Sequence, residues 1–202
     1  AALSLDPSPL GRRERNKQDK LDRITTAAGE LFDERGVEDV TTQEIADRAD
    51  IGTGTLFLYA RTKGELLLLV QNARYAVALD QGIAAASAAP SALDAVMAIL
   101  TPIAECNRTR VDVGRTYLRE MAFGDPAQPR TAEALAIVAR TEDAVADVLR
   151  RRTDLDHDGA ATAARIVSAV MLLTLGASVG ATLSTEEAVA EIRRQVAALL
   201  PR

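Results

Sequence analysis

TTQEIADRADIGTGTLFLYARTK, Thr41 to Lys63, is the stretch that decides the fold. Thr41 and Glu44 have capping-box spacing, so the hydroxyl can accept from a first-turn amide while the carboxylate reaches back to the cap's own N–H. That starts a helix, and Ile45, Ala46 and Ala49 give it one apolar face. Ala46 is small enough for a second helix to cross closely, as two helices joined by a short turn must. Asp50-Ile51-Gly52 reads as the turn, with Thr53 as the expected N-cap of a second short helix that carries Thr55, Leu56, Phe57 and Tyr59. Thr62 and Glu65 repeat the capping-box spacing, and a third helix is predicted to begin directly afterwards.

A short helix held at a fixed angle by its partner suits the major groove of DNA. Gly52 and Gly54 let backbone approach a duplex, Thr53 and Thr55 offer hydroxyls, and Lys63 stands at a helix start, where amides also favour phosphate. An ordinary helical corner with a glycine-bearing turn has the same spacing. The register, however, resembles the helix-turn-helix of the TetR (tetracycline-repressor-like) family, written T-x-x-x-I-A-x-x-A-G-V-S-x-G-T-L-Y-x-H/Y-F-x-x-K-x-x-L. Thr41 or Thr42, Ile45, Ala46, Ala49, Gly54, Thr55, Leu56, Tyr59, Lys63 and Leu66 fall into it. Asp50 stands where glycine is usual, Ile51 and Gly52 replace valine and serine, Phe57 replaces a tyrosine, and Ala60 replaces an aromatic. Phe57 and Gly52 each remove a hydroxyl available to phosphate.

The 202 residues are 48% hydrophobic and only 3% aromatic, rich in Ala, Leu and Val, without sustained apolar–polar alternation. That composition predicts an all-α chain. Leu21, Ile24, Ala28 and Leu31 mark an amphipathic helix from about Asn16 to Arg35, with Gly36 as its C-cap and Val37 and Val40 packed beneath it. Residues 1–15, with Pro7, Pro9 and Arg12, Arg13 and Arg15, read as a flexible arm. A long helix runs from Lys63 toward Pro90; helices over 91–107, 111–123, 131–152, 159–182 and 185–199 follow, about nine in all. Pro102 should kink or end the helix over 91–107, and Arg150–Arg152 suit a helix C-terminus as solvated cations. Two domains are expected, a three-helix head over 1–66 and a helical ligand-binding and dimerisation body over 67–202.

Net charge is -5, awkward for a DNA reader, and residues 1–66 carry ten basic against thirteen acidic groups. Local placement is better: residues 11–24 carry six basic and three acidic groups. The lone Cys106 excludes an intramolecular disulfide, and with His157 as the only histidine no catalytic triad, metal site or cofactor site is expected. An apolar signal segment is not read at the N-terminus, so a cytoplasmic location is expected. Gly176-Ala-Ser178-Val-Gly180 spells a nucleophile elbow without the strand or the following histidine. Asp154 to Gly159 matches half a calcium loop whose twelfth position is Arg165, and Asp156 or Asp158 reads instead as an N-cap.

The resemblance implies a non-enzymatic, homodimeric regulator, most often a repressor, released from a palindromic operator on double-stranded DNA by a small effector. Thr42, Thr53, Gly54, Thr55, Phe57, Tyr59 and Lys63 are the candidate DNA contacts, with Thr53 and Thr55 as base readers and Thr42, Tyr59 and Lys63 on the backbone. Tyr75, Met97, Asn107, Tyr117, Met121 and Met171 are the candidate ligand contacts, and the scarcity of aromatics favours an apolar aliphatic effector. The apolar helix over 159–182 and its neighbour over 185–199 should form the dimer's four-helix interface. The alternative is a membrane-associated helical protein anchored through the uncharged residues 166–185, which contain a GxxxG but lack an aromatic belt.

Overall fold

The computed structural model describes residues 11–200, which are helical with no strand among them. Residues 1–10 of the expected arm lie outside the described residues. Arg12–Arg15 do not belong to an arm; they form the first turn of α1 (Arg12–Arg35), four residues earlier than the spacing predicted. The apolar face that predicted this helix begins only at Leu21, so an exposed polar first half carried no periodic signal. The head is completed by α2 (Thr42–Arg48) and α3 (Thr53–Leu56). Ile24, Ala28 and Phe32 of α1 are buried with Val40, Ile45, Ala46 and Leu56. Each face read from the sequence is thereby closed by the others.

α4 (Lys63–Ala86) runs out of the head into the body, so the boundary expected after residue 66 falls inside one continuous helix. Thr62 caps it by accepting from the Glu65 N–H at 3.1 Å, while the Glu65 carboxylate accepts from the Arg61 N–H at 2.7 Å. The body continues with α5 (Ala92–Arg108), α6 (Val111–Phe123), α7 (Pro129–Arg152), α8 (His157–Gly176) and α9 (Thr185–Leu199). α5 packs on α4, α6, α7, α8 and α9, the central position its all-round apolar surface implied. Pro102 does not end α5. Lacking an N–H, it leaves the Ala98 carbonyl without the usual intrahelical donor. Gly82 of α4 fits against that carbonyl: a Cβ there would lie 2.8 Å from Ala98 O and 2.8 Å from the Ile99 Cα.

The helix expected over 159–182 is two pieces. α8 starts at His157, capped by the Asp156 carboxylate accepting from the Gly159 N–H at 2.8 Å, and ends at Gly176; Ser178–Thr182 form a 3₁₀ turn. The break is compensated from α5 and α6. Arg115 Nε donates to the Gly176 carbonyl at 3.1 Å, and Arg108 donates to the carbonyls of Gly180 and Leu183. Only glycine fits the turn, because a Cβ at Gly180 would lie 1.9 Å from Thr174 O. Residues 166–185 are therefore not one continuous span, although α8 itself is long and apolar enough by length and composition to cross a membrane. Arg152, read as a solvated cation at its own helix end, instead crosses to α4 and α5 and donates to the carbonyls of Ala86, Ser87, Ala89 and Ser91.

Candidate nucleic-acid interface and ligand cavity

The capping box at Thr41 forms as its spacing predicts. The Glu44 N–H donates to Thr41 Oγ1 at 3.2 Å, and the Thr41 N–H donates to Glu44 Oε2 at 2.8 Å. The Thr41 backbone N–H, then the Thr41 hydroxyl and the Arg35 guanidinium, hold the Glu44 carboxyl down from its ordinary 4.5 to about 2. A depressed folded value means that the contribution to stability is complete above the ordinary value and disappears as pH falls toward about 2. Between pH 4.5 and 2, Glu44→Gln is therefore expected to lose less stability than the parent chain, read from urea midpoints. Equal acid slopes for the two chains would contradict it.

The turn between α2 and α3 is closed by Asp50 at φ 53°, in the left-handed region that the family's usual glycine occupies freely and that aspartate tolerates better than most residues. The N-cap of α3 is Gly52, with Thr53 as the first helical residue. Thr53 was expected to cap; its hydroxyl instead donates to Gln43 Oε1 at 2.7 Å, while Gln43 Nε2 donates to Asp47 Oδ1 at 2.7 Å. Gln43 is exposed on α2 and belongs to the same polar surface, a role nothing in its spacing announced. Hydrogen bonds from the N–H groups of Phe57, Leu58, Tyr59 and Ala60 continue the helical turn past α3. Leu56 and Ala60 anchor it in the core, leaving Gly54, Phe57 and Leu58 outside with Thr42, Thr53, Thr55 and Tyr59 half-buried.

Lys63, a candidate backbone contact, is engaged within the chain. Its Nζ donates to the carbonyls of Val37 at 2.9 Å and Glu38 at 3.0 Å, tying the start of α4 to the loop after α1. Cations that line a cleft of about 540 Å³ beside Tyr59 are Arg13, Lys17 and Lys20 of α1, and none of these three makes an ion pair among the described residues. These residues convert the expected basic arm into a basic helix face. Lys63→Ala should accordingly lower the stability of the chain by about 1–2 kcal/mol, as loss of charge-assisted hydrogen bonds does, and leave the salt dependence of DNA binding unchanged. Lys17→Ala should flatten that salt dependence by about one unit of slope, as a lost phosphate contact does. Anisotropy titrations at several salt concentrations separate the two, and the reverse pattern would return Lys63 to the phosphate.

In the body, α4 to α8 line a half-open cavity of about 340 Å³. Of the candidate ligand contacts, Tyr75, Tyr117, Met121 and Met171 line it, joined by Leu100, Ile103, Ala134 and Leu172. Met97 and Asn107 do not line it: Met97 is buried elsewhere in the core. Asn107 lies behind the wall, donating from Nδ2 to the Tyr75 hydroxyl and, at 3.1 Å, to the Gly114 carbonyl. The Tyr117 hydroxyl donates to Asn72 Oδ1 at 3.0 Å, and the two tyrosine rings meet with centroids 4.6 Å apart. Burial raises both phenols well above their ordinary range, so they stay neutral. With the hydroxyls bonded to protein, the surface offered inward is apolar; Glu142, Arg165 and Ser168 supply its polar part.

α6 joins cavity to head. Its middle carries Tyr117, Leu118 and Met121 into the cavity wall. At its start, Arg110 donates to the carbonyls of Asp33 at 3.2 Å and Glu34 at 3.4 Å in the last turn of α1. Further along, Glu120 meets the start of α4 at Gly64, where an added Cβ would lie 2.7 Å from its carboxylate oxygen. Arg74 of α4 pairs with Asp33 at 2.6 Å, so the same end of α1 is held from two helices.

Residues 24–70 match the family model described as bacterial regulatory proteins, tetR family. No curated protein matches the chain. A TetR transcriptional regulator from Rhodococcus sp. RHA1 superposes with a TM-score of 0.71 at 21% identity over 92% of this chain and 97% of that one. A TetR-family transcriptional regulator from Streptomyces coelicolor gives 0.65 at 22% over 90% and 94%. FadR of Thermus thermophilus, a TetR-family transcriptional repressor in complex with lauroyl-CoA, gives 0.64 at 22% over 90% and 96%. Residues 24–70 thus carry the sequence pattern of the tetR family of bacterial regulatory proteins, and the chain as a whole has the fold of these TetR-family structures.

Proposed function

We propose that this protein is a homodimeric repressor that leaves a palindromic operator when a small apolar effector enters the cavity among α4 to α8. The observation that carries the reading is the double engagement of α6: the helix whose Tyr117 and Met121 line the cavity also holds α1 through Arg110. An effector that fits one setting of α6 better than the other shifts the head between DNA-competent and incompetent arrangements, and by linkage DNA weakens the effector by the same factor. A cavity of about 340 Å³ lies in the range used for small ligands. An acyl group suits its apolar lining, and a solved relative by fold holds lauroyl-CoA. Thr42, Thr55 and Tyr59 on the head are the proposed contacts with DNA, helped by Arg13, Lys17 and Lys20. Dimerisation is assigned to α8 and α9, whose outer α8 stripe of Ile166, Ala169 and Leu173 is exposed.

The test uses a duplex selected by the purified chain from a random pool. Lauroyl-CoA or dodecanoate should raise the apparent Kd for that duplex, and Ala134→Phe, which fills the cavity, should bind DNA but ignore the ligand. Release that is equally strong in the filled variant would place the effector elsewhere. DNA binding unmoved by either acyl compound would overturn an acyl effector.

A further inference from the structure

We infer that Leu58 reads the C5-methyl groups of thymine in the major groove, making it a specificity-determining residue that the family pattern leaves open. The inference rests on the proposed DNA-binding role of the head. Leu58 is 84% exposed, an unusual state for a leucine with core residues two positions away on either side. It cannot turn inward, because Leu56 and Ala60 already occupy the inner face of that turn. Gly54 lies one helical turn before it, and nothing stands within 4 Å of where a Cβ would be. That gap is a shelf on which a base edge can lie against the leucine.

Polar readers are less available on this surface than its composition suggests. The Thr53 hydroxyl is bonded to Gln43 and the Lys63 ammonium to two carbonyls. What the turn offers outward is Leu58 and, beside it, Phe57 at 43% exposure. In the major groove the thymine methyl is the one apolar mark on a base pair, and apolar side chains distinguish thymine by touching it. A surface with a modest phosphate grip and exposed leucine therefore draws discrimination from methyl burial, with T·A told apart from C·G at the positions Leu58 covers.

Single thymine-to-uracil replacements in the selected duplex remove that methyl and nothing else. For the parent chain, at least one replacement per half-site should weaken binding about fourfold, the affinity equivalent of about 0.8 kcal/mol for one buried carbon group. In Leu58→Ala the same replacement should cost less than about twofold, while Leu58→Met should retain most of the effect. Thermal unfolding reports whether the variants fold; so exposed a side chain should leave it unchanged. Undiminished uracil losses in Leu58→Ala, or none in the parent chain, would overturn the assignment to Leu58 while leaving DNA binding intact. If no duplex is enriched by the parent chain, the DNA-binding reading itself fails, and this inference with it.

Discussion

Leu173→Glu is expected to turn the protein into a monomer and to weaken operator binding by about 10²–10⁴-fold, the range lost when two linked sites no longer act together. Thr162, Ile166, Ala169 and Leu173 recur along one side of α8 and are all exposed, Leu173 by 66%. A helix with this composition buries its inner side against α5, α6 and α7 and presents the other to a second copy on the proposed dimer. A carboxylate buried in such a contact is taken out of water with no cation on the stripe to compensate it. Because Leu173 contributes little to the fold of one chain, the urea midpoint of the monomer's secondary structure should hardly move at low protein concentration. Sedimentation reads the change in mass and anisotropy reads the affinity; an unaltered dimer with unaltered affinity would remove α8 from the interface.

Gly82→Ala should cost about 2 kcal/mol of stability, although alanine is the better helix former by about 1 kcal/mol. The added Cβ would meet Ala98 O, Ile99 Cα and Ile99 O, all at 2.8 Å and all backbone, which cannot rotate away as a side chain would. Overpacking of this kind costs about 1–3 kcal/mol, and the unyielding neighbour places it at the upper end. The expected result is a lowered urea midpoint with unchanged slope. A midpoint that is unchanged or raised would mean that α4 and α5 separate freely, and with them the wall of the cavity. Valine at the same position should be worse again.

Much of this fold is legible in the residues because its signals are local. Thr41 with Glu44 and Ser184 with Glu187 start helices by bonds within one turn, and both capping boxes form. Ile45, Ala46 and Leu56 mark faces that the structure buries. Departures arise where a partner distant in sequence decides. The end of α8 depends on Arg108 and Arg115, some sixty to seventy-five residues earlier, receiving its carbonyls. Arg152 looks like a solvated helix end until α4 brings its last carbonyls beside it. Lys63 has the type and the helix-start position of a phosphate ligand, yet the loop after α1 places two carbonyls within 3.0 Å of its ammonium.

The ligand cavity shows the same division. Tyr75, Tyr117, Met121 and Met171 are large and adaptable residues in buried helices and do line it. Asn107, a candidate contact by its place on a buried helix, does not line it. Its partners are the Tyr75 hydroxyl and the Gly114 carbonyl, where α5 turns into α6. Whether a buried polar group faces a cavity or braces its wall depends on which helix stands opposite, and no single-chain pattern encodes that.

The most direct measurement is selection of duplexes from a random pool by the purified chain, followed by sedimentation of the complex to count chains per site. The expected result is enrichment of an inverted repeat whose half-sites are spaced by about one helical turn or a multiple of it, with an even number of chains bound and affinity that falls as salt rises. Recovery of unrelated sequences, bound no better than the starting pool at the same salt concentration, would contradict it.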